Sequence, residues 1–331
     1  MAETGPLFAS SGDLIADRRY NAAMDLAARG DLAGATDVLA QTVAAAPGFA
    51  AAWFALGALR GRLGDRQGAV AAFTEASRAD PDDYHVARLQ LARLGAGEPA
   101  PAISESYLRR LFDQYAARYD AALTEQLYYR GPAILCDVVK SVLHGLGRPM
   151  RFEALLDLGC GTGLAGAAFR PFAAHRVGVD LSPAMVARAQ AKDLYHRLVV
   201  GNLANVLAAE VARDAQYDLV LAADVFVYVN DLAPVFAEVA RVLRPGGILA
   251  FTVETHAVEN HAVENHAVEN HAGAGVKLLP TLRFAHGEKY LREAVAAGGL
   301  KLLALEKTAI RTEKAAPVSG LVVVAGFTEQ R

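Results

Sequence analysis

Leu155-Leu-Asp-Leu-Gly-Cys-Gly-Thr-Gly163 is the stretch on which the reading of the fold turns. The apolar run Ala154 to Leu158 reads as a buried strand, and three glycines separate it from a helix-compatible run, Leu164 to Phe169. Without side chains at Gly159, Gly161 and Gly163, a backbone can approach a nucleotide-sized ligand, and the following helix offers free amides to a carboxylate. Asp157 then faces a ligand ammonium, while Cys160 reads as a small loop residue because no partner histidine is identifiable nearby. A second strand, Arg176 to Val179, ends in Asp180, where a carboxylate accepts ribose hydroxyls; Leu181 and Met185 extend that contact. Beyond the strand Leu198 to Val200, Asn202 either meets an adenine edge, with Leu203 beside it, or satisfies the loop backbone. Asp224 follows the strand Asp218 to Ala222, as a further ligand contact or as the cap of a turn.

Working outward, strand-like and helical runs alternate to the end of the chain, which implies an α/β layer structure. Ile248 to Val253 is the fifth strand, and Leu300 to Thr308 with Gly320 to Phe327, lacking a helix between them, form an antiparallel hairpin. In their order, the glycine motif, Asp180, Asn202, Asp224 and Arg241-Val-Leu-Arg-Pro-Gly-Gly247 resemble class I S-adenosylmethionine-dependent methyltransferases over residues 100 to 331. That resemblance implies a Rossmann-like seven-stranded sheet of order 3-2-1-4-5-7-6 with strand 7 antiparallel. It also implies S-adenosyl-L-methionine as cofactor, S-adenosyl-L-homocysteine as product, and no metal. Asn202 stands where many relatives carry Asp. Gly161-x-Gly163-x-x-Gly166 also satisfies a dinucleotide fingerprint, so an NAD(P)-dependent oxidoreductase stands as an alternative.

At the other end, a shift of 34 residues superposes Gly30-Asp31 on Gly64-Asp65, Ala35 on Ala69, Leu39 on Phe73 and Pro47 on Pro81. This is the tetratricopeptide period, with Gly and Asp at the turn and Pro after the second helix. The expected organisation is a tail over 1–17, an all-helical repeat domain over 18–94 (two repeats and a capping helix from Tyr84 to Leu94), a linker over 95–101 and a methyltransferase domain over 102–331. These repeats, with Phe112-Asp-Gln-Tyr-Ala-Ala-Arg-Tyr-Asp120, Tyr129-Arg-Gly-Pro132 and Leu282-Arg-Phe-Ala-His286, resemble a bacterial group of repeat-containing methyltransferases. A peptide or protein partner through the repeats is expected, and a repeat-mediated interaction protein with an inactive or cofactor-sensing domain is the first alternative, ahead of the oxidoreductase. Within 256–272 the pentapeptide His-Ala-Val-Glu-Asn recurs as an expanded loop; histidines five apart share no face of a helix or strand, so no metal site is expected from them.

Composition narrows the function further. A net charge of -3 gives no general field for phosphate backbones, so nucleic acid is not an expected partner. Only two cysteines, and no apolar run long enough to span a bilayer, fit a cytoplasmic protein without a membrane anchor. Methyl transfer from a sulfonium is an in-line displacement, for which alignment alone supplies roughly 7 to 11 kcal/mol. The side chains needed are therefore walls around the methyl group, plus a base when the acceptor arrives protonated. Tyr115, Tyr119 and Val225 to Tyr228 are the candidate walls; Tyr119, also a cofactor contact, and Tyr228 equally suit a partly buried core. His286 is the candidate base or acceptor-orienting group, with a helix cap as its other reading, and Arg283 suits an acidic acceptor. Ala223-Asp-Val-Phe226 lacks the Asn/Asp-Pro-Pro-aromatic pattern of base and amide methylation, which favours a small metabolite or a carrier- or peptide-bound group. Acceptor and oligomeric state are left open by the sequence.

Overall fold

The computed structural model describes residues 10–98, 102–121, 129–255, 275–313 and 316–327. They form two compact units that part between Tyr107 and Leu108. The repeat-expanded loop over 256–272 and residues 99–101 of the expected linker lie outside the described residues.

The first unit is helical: α1 (Leu14–Ala28), α2 (Leu32–Ala45), α3 (Ala50–Arg62), α4 (Arg66–Ala79) and α5 (Ala87–Arg93). Its first helix starts inside the expected tail because the Asp13 carboxylate accepts from the amides of Ile15 and Ala16. The 34-residue repetition is structural: Gly30 and Gly64 turn with φ of 90° and 83°, and Asp31 and Asp65 each cap the next helix by accepting from Gly34 N and Gly68 N at 2.9 and 2.8 Å. Ala35, Leu39, Ala52, Leu56 and Ala72 close its core, with the rings of Tyr20 and Phe49 5.2 Å apart.

The second unit opens within α6 (Glu105–Tyr115) and continues through a 3₁₀ turn over Ala116–Arg118, α7 (Tyr119–Ala121) and α8 (Gly131–Gly145). Strands and helices then alternate: β1 (Phe152–Leu158), α9 (Leu164–Phe169), β2 (Ala173–Asp180), α10 (Pro183–Ala191), β3 (Arg197–Val200), α11 (Leu203–Ala212), β4 (Tyr217–Ala222), α12 (Ala233–Val242) and β5 (Leu243–Glu254). After them come β6 (Val276–Leu278), β7 (Phe284–His286), α13 (Glu288–Ala297), β8 (Lys301–Glu313) and β9 (Ala316–Gly326). Parallel pairing links β3-β2-β1-β4-β5, and β9 runs antiparallel between β5 and β8. This is the order expected from the sequence, β8 and β9 being the sixth and seventh strands of that reading.

Strand side chains alternate between faces, and the core divides accordingly. Leu155, Leu219, Leu221, Ile248, Ala250, Val322 and Val324 pack on one face with Leu135, Val139 and Leu143 of α8 and Phe169 of α9. Leu156, Val220, Ala222, Leu249, Phe251, Val253 and Val323 pack on the other with Leu207, Phe236, Val239, Leu291 and Val295 from α11, α12 and α13. Each such side chain, when fully buried, contributes roughly 1.5–3 kcal/mol. Continuous apolar strands such as Leu219 to Ala222 are what a sheet covered on both faces requires.

The hairpin β6–β7 was not anticipated. β7 meets β5 through one parallel pair, Glu254 with Ala285, while Glu254 also pairs with Gly320 of β9. As β9 holds one edge of β5, β7 must lie on the other, prolonging the line of β4 past Ala222. The hairpin thereby adds side chains at the carboxyl ends of the central strands, where open α/β sheets bind ligands. Among the described residues no helix is long and apolar enough to cross a membrane.

Candidate active site

The carboxyl ends of β1 and β2 are joined by a hydrogen bond that the sequence alone does not show: the Asp180 carboxylate accepts from Gly161 N at 2.8 Å and from Ser182 N at 2.8 Å. Burial pushes the Asp180 acid up, and these amide donors oppose that rise. Gly159, Gly161 and Gly163 all have positive φ, at 65°, 53° and 95°. Their surroundings differ. A methyl at Gly159 would drive into Val225 and one at Gly163 would come within 2.8 Å of Leu194, whereas at Gly161 the nearest atom is the Tyr119 ring at 3.7 Å. Gly161 is thus the loop glycine at which a methyl would make only ordinary contact, and the other two are required by the protein's own packing.

Behind the loop, Asp157 is buried at the end of β1 and accepts from the Tyr195 hydroxyl at 2.6 Å. Burial, with Asp180 adding repulsion, pushes its acid up to about 7 even though Tyr195 donates to it. Gly163, Gly166 and Gly178 surround the Tyr195 ring: a methyl at Gly166 would strike it at 2.3 Å, and methyls at Gly163 and Gly178 would crowd it at 3.3 and 3.1 Å. Cys160 is buried, and burial beside Asp157 and Asp180 pushes its thiol well up, which keeps it protonated.

In front of the loop, residues 108–121 are pinned by two aspartates. Asp113 accepts from the Ser182 hydroxyl at 2.5 Å and from Ala184 N at 3.2 Å, at the start of α10. Asp120 accepts from the Thr162 hydroxyl and pairs with Lys192 at 2.6 Å. Between them, Phe112, Tyr115, Tyr119 and Tyr228 make an edge-to-face aromatic group with centroids 5.5 to 6.4 Å apart. Tyr119, Tyr129, Pro132, Gly159 to Thr162, Leu164, Ala165 and Ala223 line a small pocket over the glycine loop. Among the described residues, the Tyr129 hydroxyl in its wall is buried with no hydrogen-bond partner.

A buried ionic cluster closes the other side. Asp224, left-handed at φ 62°, pairs with Arg283, and Arg311 lies 3.6 Å from its carboxylate. Glu254 at the end of β5 pairs with Arg283 at 2.5 Å and Arg311 at 2.7 Å. Burial works against the Arg283 charge, yet Asp224, Tyr228 and Glu254 outweigh it and hold the guanidinium protonated. Arg283 also donates to the Tyr228 hydroxyl at 2.9 Å.

Residues 156–251 match the family model described as a methyltransferase domain. That segment of the chain is thus similar to a methyltransferase domain. Among curated relatives of this domain, a malonyl-[acyl-carrier protein] O-methyltransferase of Serratia marcescens is 30% identical over 150 residues, 45% of this chain and 53% of that protein. Human methyltransferase-like protein 27 is 31% identical over 169 residues, 50% and 64% of the two chains. The chain thus spans between half and two thirds of the length of these relatives. Among solved structures, the [4+2]-cyclase SpnF overlays with a TM-score of 0.50 at 18% identity, covering 70% of this chain and 99% of that one, a likeness of fold.

The second unit brings Tyr119, Asp157, Gly159, Cys160, Gly161, Gly163 and Asp180 together at the head of β1 and β2. Leu181, next after Asp180, is half-buried, and Met185 is buried inside α10. Asn202 caps α11, its side-chain oxygen accepting from Asn205 N at 2.7 Å, so of its two readings the backbone one is realised; Leu203 starts that helix. Asp224 departs from the expectation of a cofactor contact, because its carboxylate is taken by the arginines. His286 departs from that of an acceptor-side base: β7 carries it fully into the interior, Nε2 lies 3.0 Å from the Val229 carbonyl, and the ring stacks on Tyr290 at 5.7 Å. Tyr228 keeps both of its readings, as a wall residue against Phe112 and as partner of Arg283. Overlooked in the sequence were Asp113, Asp120, Tyr195, Glu254 and Arg311; Asp113 and Asp120, seven apart, carried a helical-face signal.

The donor set, rather than the volume of about 20 Å³ left over the loop, suits the cofactor that this fold class implies. Gly161 leaves room beside backbone, Asp180 supplies a carboxylate at a strand end, and Tyr129 offers a donor lacking an acceptor. Among the described residues no group of three or more His, Cys, Asp or Glu side chains is arranged to hold a metal ion.

Proposed function

We propose that the chain binds S-adenosylmethionine across the ends of β1 and β2 and transfers its methyl group to an oxygen nucleophile on a small metabolite or a carrier-bound acid. The observation that carries this reading is the left-handed glycine loop tied to the acid of β2 through Gly161 N. A cofactor lying there would place its ribose hydroxyls on Asp180 and its adenine beside Leu181. The bound cofactor supplies an electrophilic methyl; the chain supplies alignment and dryness. Phe112, Tyr119 and Tyr228 would wall the transfer path, excluding water from a displacement that gains most from orientation. Oxygen is favoured by the names of relatives, malonyl-[acyl-carrier protein] and ubiquinone biosynthesis O-methyltransferases. A free carboxylate needs no base, which suits a site whose one candidate histidine is buried.

The helical unit is proposed to be a pair of tetratricopeptide repeats that recruits a protein or peptide, supported by its matching turns at Gly30-Asp31 and Gly64-Asp65. We place the protein in the cytoplasm, in keeping with its two unpaired cysteines. Incubation with methyl-labelled S-adenosylmethionine, offering malonyl-carrier protein, phenolic acids and an extract from cells lacking the protein, tests the reading. Base-labile label on a carboxyl or ether-stable label on a hydroxyl supports it; label confined to nitrogen or nucleic acid contradicts it.

A further inference from the structure

We propose that residues 108–121 form a strap that must lift from α10 each time the cofactor enters or leaves, with Asp113 and Asp120 as its two fasteners. The inference rests on the cofactor reading above and adds the step that controls access to that site.

Three observations support it. The segment runs beside α10 from end to end: the Asp113 carboxylate accepts from the Ser182 hydroxyl and from Ala184 N at the first turn, and seven residues on Asp120 pairs with Lys192, the C-cap, at 2.6 Å. It also covers the site. Asp120 accepts from the Thr162 hydroxyl of the glycine loop, and the Tyr119 ring lies 3.7 Å from where a methyl on Gly161 would stand. The pocket left over the loop has a volume of about 20 Å³, whereas clefts that enclose a small molecule run to about 300–1,000 Å³. A nucleoside does not fit beneath Tyr119 in this arrangement, so the cover has to move. Finally, the segment is weakly anchored by apolar contact. No side chain of α6 is buried, and over 108–120 Ala116 alone is, while α8 sinks Leu135, Val139 and Leu143 into the core. A segment with so little burial opens at the low end of local stability, and polar fasteners decide how often.

The two fasteners differ in strength. Ser182 is fully buried and its oxygen accepts from Met185 N, so its one proton is committed to Asp113 in a charge-assisted bond. Because Ser182 N donates to Asp180, this fastener is joined to the acid that ends β2. The Asp120–Lys192 pair is the weaker one, its side chains being 43% and 33% exposed and open to competition from water.

Surface plasmon resonance on the immobilised full chain, with S-adenosylhomocysteine as analyte, reads entry and exit separately. Loosening a strap that gates both raises the open population with and without ligand, so association and dissociation quicken together. Asp113→Ala should raise each rate by roughly tenfold and Lys192→Met by up to about fivefold, with Kd changing less than either rate. Asp113→Asn, which keeps an oxygen for Ser182, should stay nearer the parent. In the ligand-free chain, amide exchange over 108–121 should outpace that of α8 and run faster still in Asp113→Ala and Lys192→Met. Association that is unchanged or slower in both of these variants would overturn the proposal, since a fixed wall alters dissociation alone, and so would exchange over 108–121 as slow as in α8. An unaltered chain that binds no S-adenosylhomocysteine would overturn the cofactor reading instead, while the exchange measurement still tests the strap.

Discussion

Replacing Asp157 with Asn should make the methyltransferase domain progressively more stable than the parent as pH rises from 5 to 8. The Asp157 acid is pushed up to about 7 in the folded chain by burial, against an ordinary value of 3.8. Between those two values the folded state holds a proton that the unfolded chain has released, so the stability of the parent falls as pH rises through this window. Integrating the proton linkage, the contribution is on the order of 3 kcal/mol at pH 5 and nearly zero at pH 8. Asn carries no titrating proton and retains an oxygen that can accept from Tyr195. The difference between variant and parent should therefore shift by roughly 2–3 kcal/mol across that range, other groups cancelling in the comparison. Trp53, the single tryptophan, lies in the helical unit, so its fluorescence does not report the transition. Urea-dependent hydrogen exchange of peptides covering β1 and β4 does. A difference between the two proteins that is the same at pH 5 and pH 8 would refute a neutral, buried Asp157.

Arg283→Met should destabilise the methyltransferase domain by about 3–5 kcal/mol in the same exchange assay, since it leaves Asp224 and Glu254 buried with Arg311 as their shared cation. Asp65→Ala should lower the helical unit's stability by about 1 kcal/mol through loss of the α4 cap, read by Trp53 fluorescence in urea, and Asp31→Ala should act alike. Gly161→Val should abolish binding of S-adenosylhomocysteine with the fold retained by circular dichroism: it fills the space beside the least crowded glycine of the loop and strains a left-handed residue.

What the sequence made legible was local or periodic. The glycine loop and the acid ending the second strand are contiguous signals, and the helices Leu164–Phe169 and Glu288–Ala297 and all seven long strands stand where apolar patterning put them. The paired turns of the helical unit followed from a fixed period. What stayed hidden was made by distant partners: Asp224 meets Arg283 across 59 positions, Glu254 meets Arg311 across 57, and Tyr195 reaches Asp157 across 38. Nothing in the local context of Asp224 signals that its carboxylate is already spoken for. His286 reads as an accessible group ahead of a helix only while β7 is unseen, and a three-residue strand is too short to leave a periodic trace. The glycines teach a similar lesson, since a spacing that suggests three ligand-facing positions turns out to hold one.

The grip of Asp180 on a nucleoside is the claim on which the functional account stands. Calorimetric titration of the parent chain and of Asp180→Ala with S-adenosylhomocysteine measures it. The account predicts saturable binding by the parent and a loss of about 1.5–3 kcal/mol in the variant, the range for hydrogen bonds to a charged group. Equal affinity in the two proteins, or no binding by a folded parent at millimolar ligand, would contradict it.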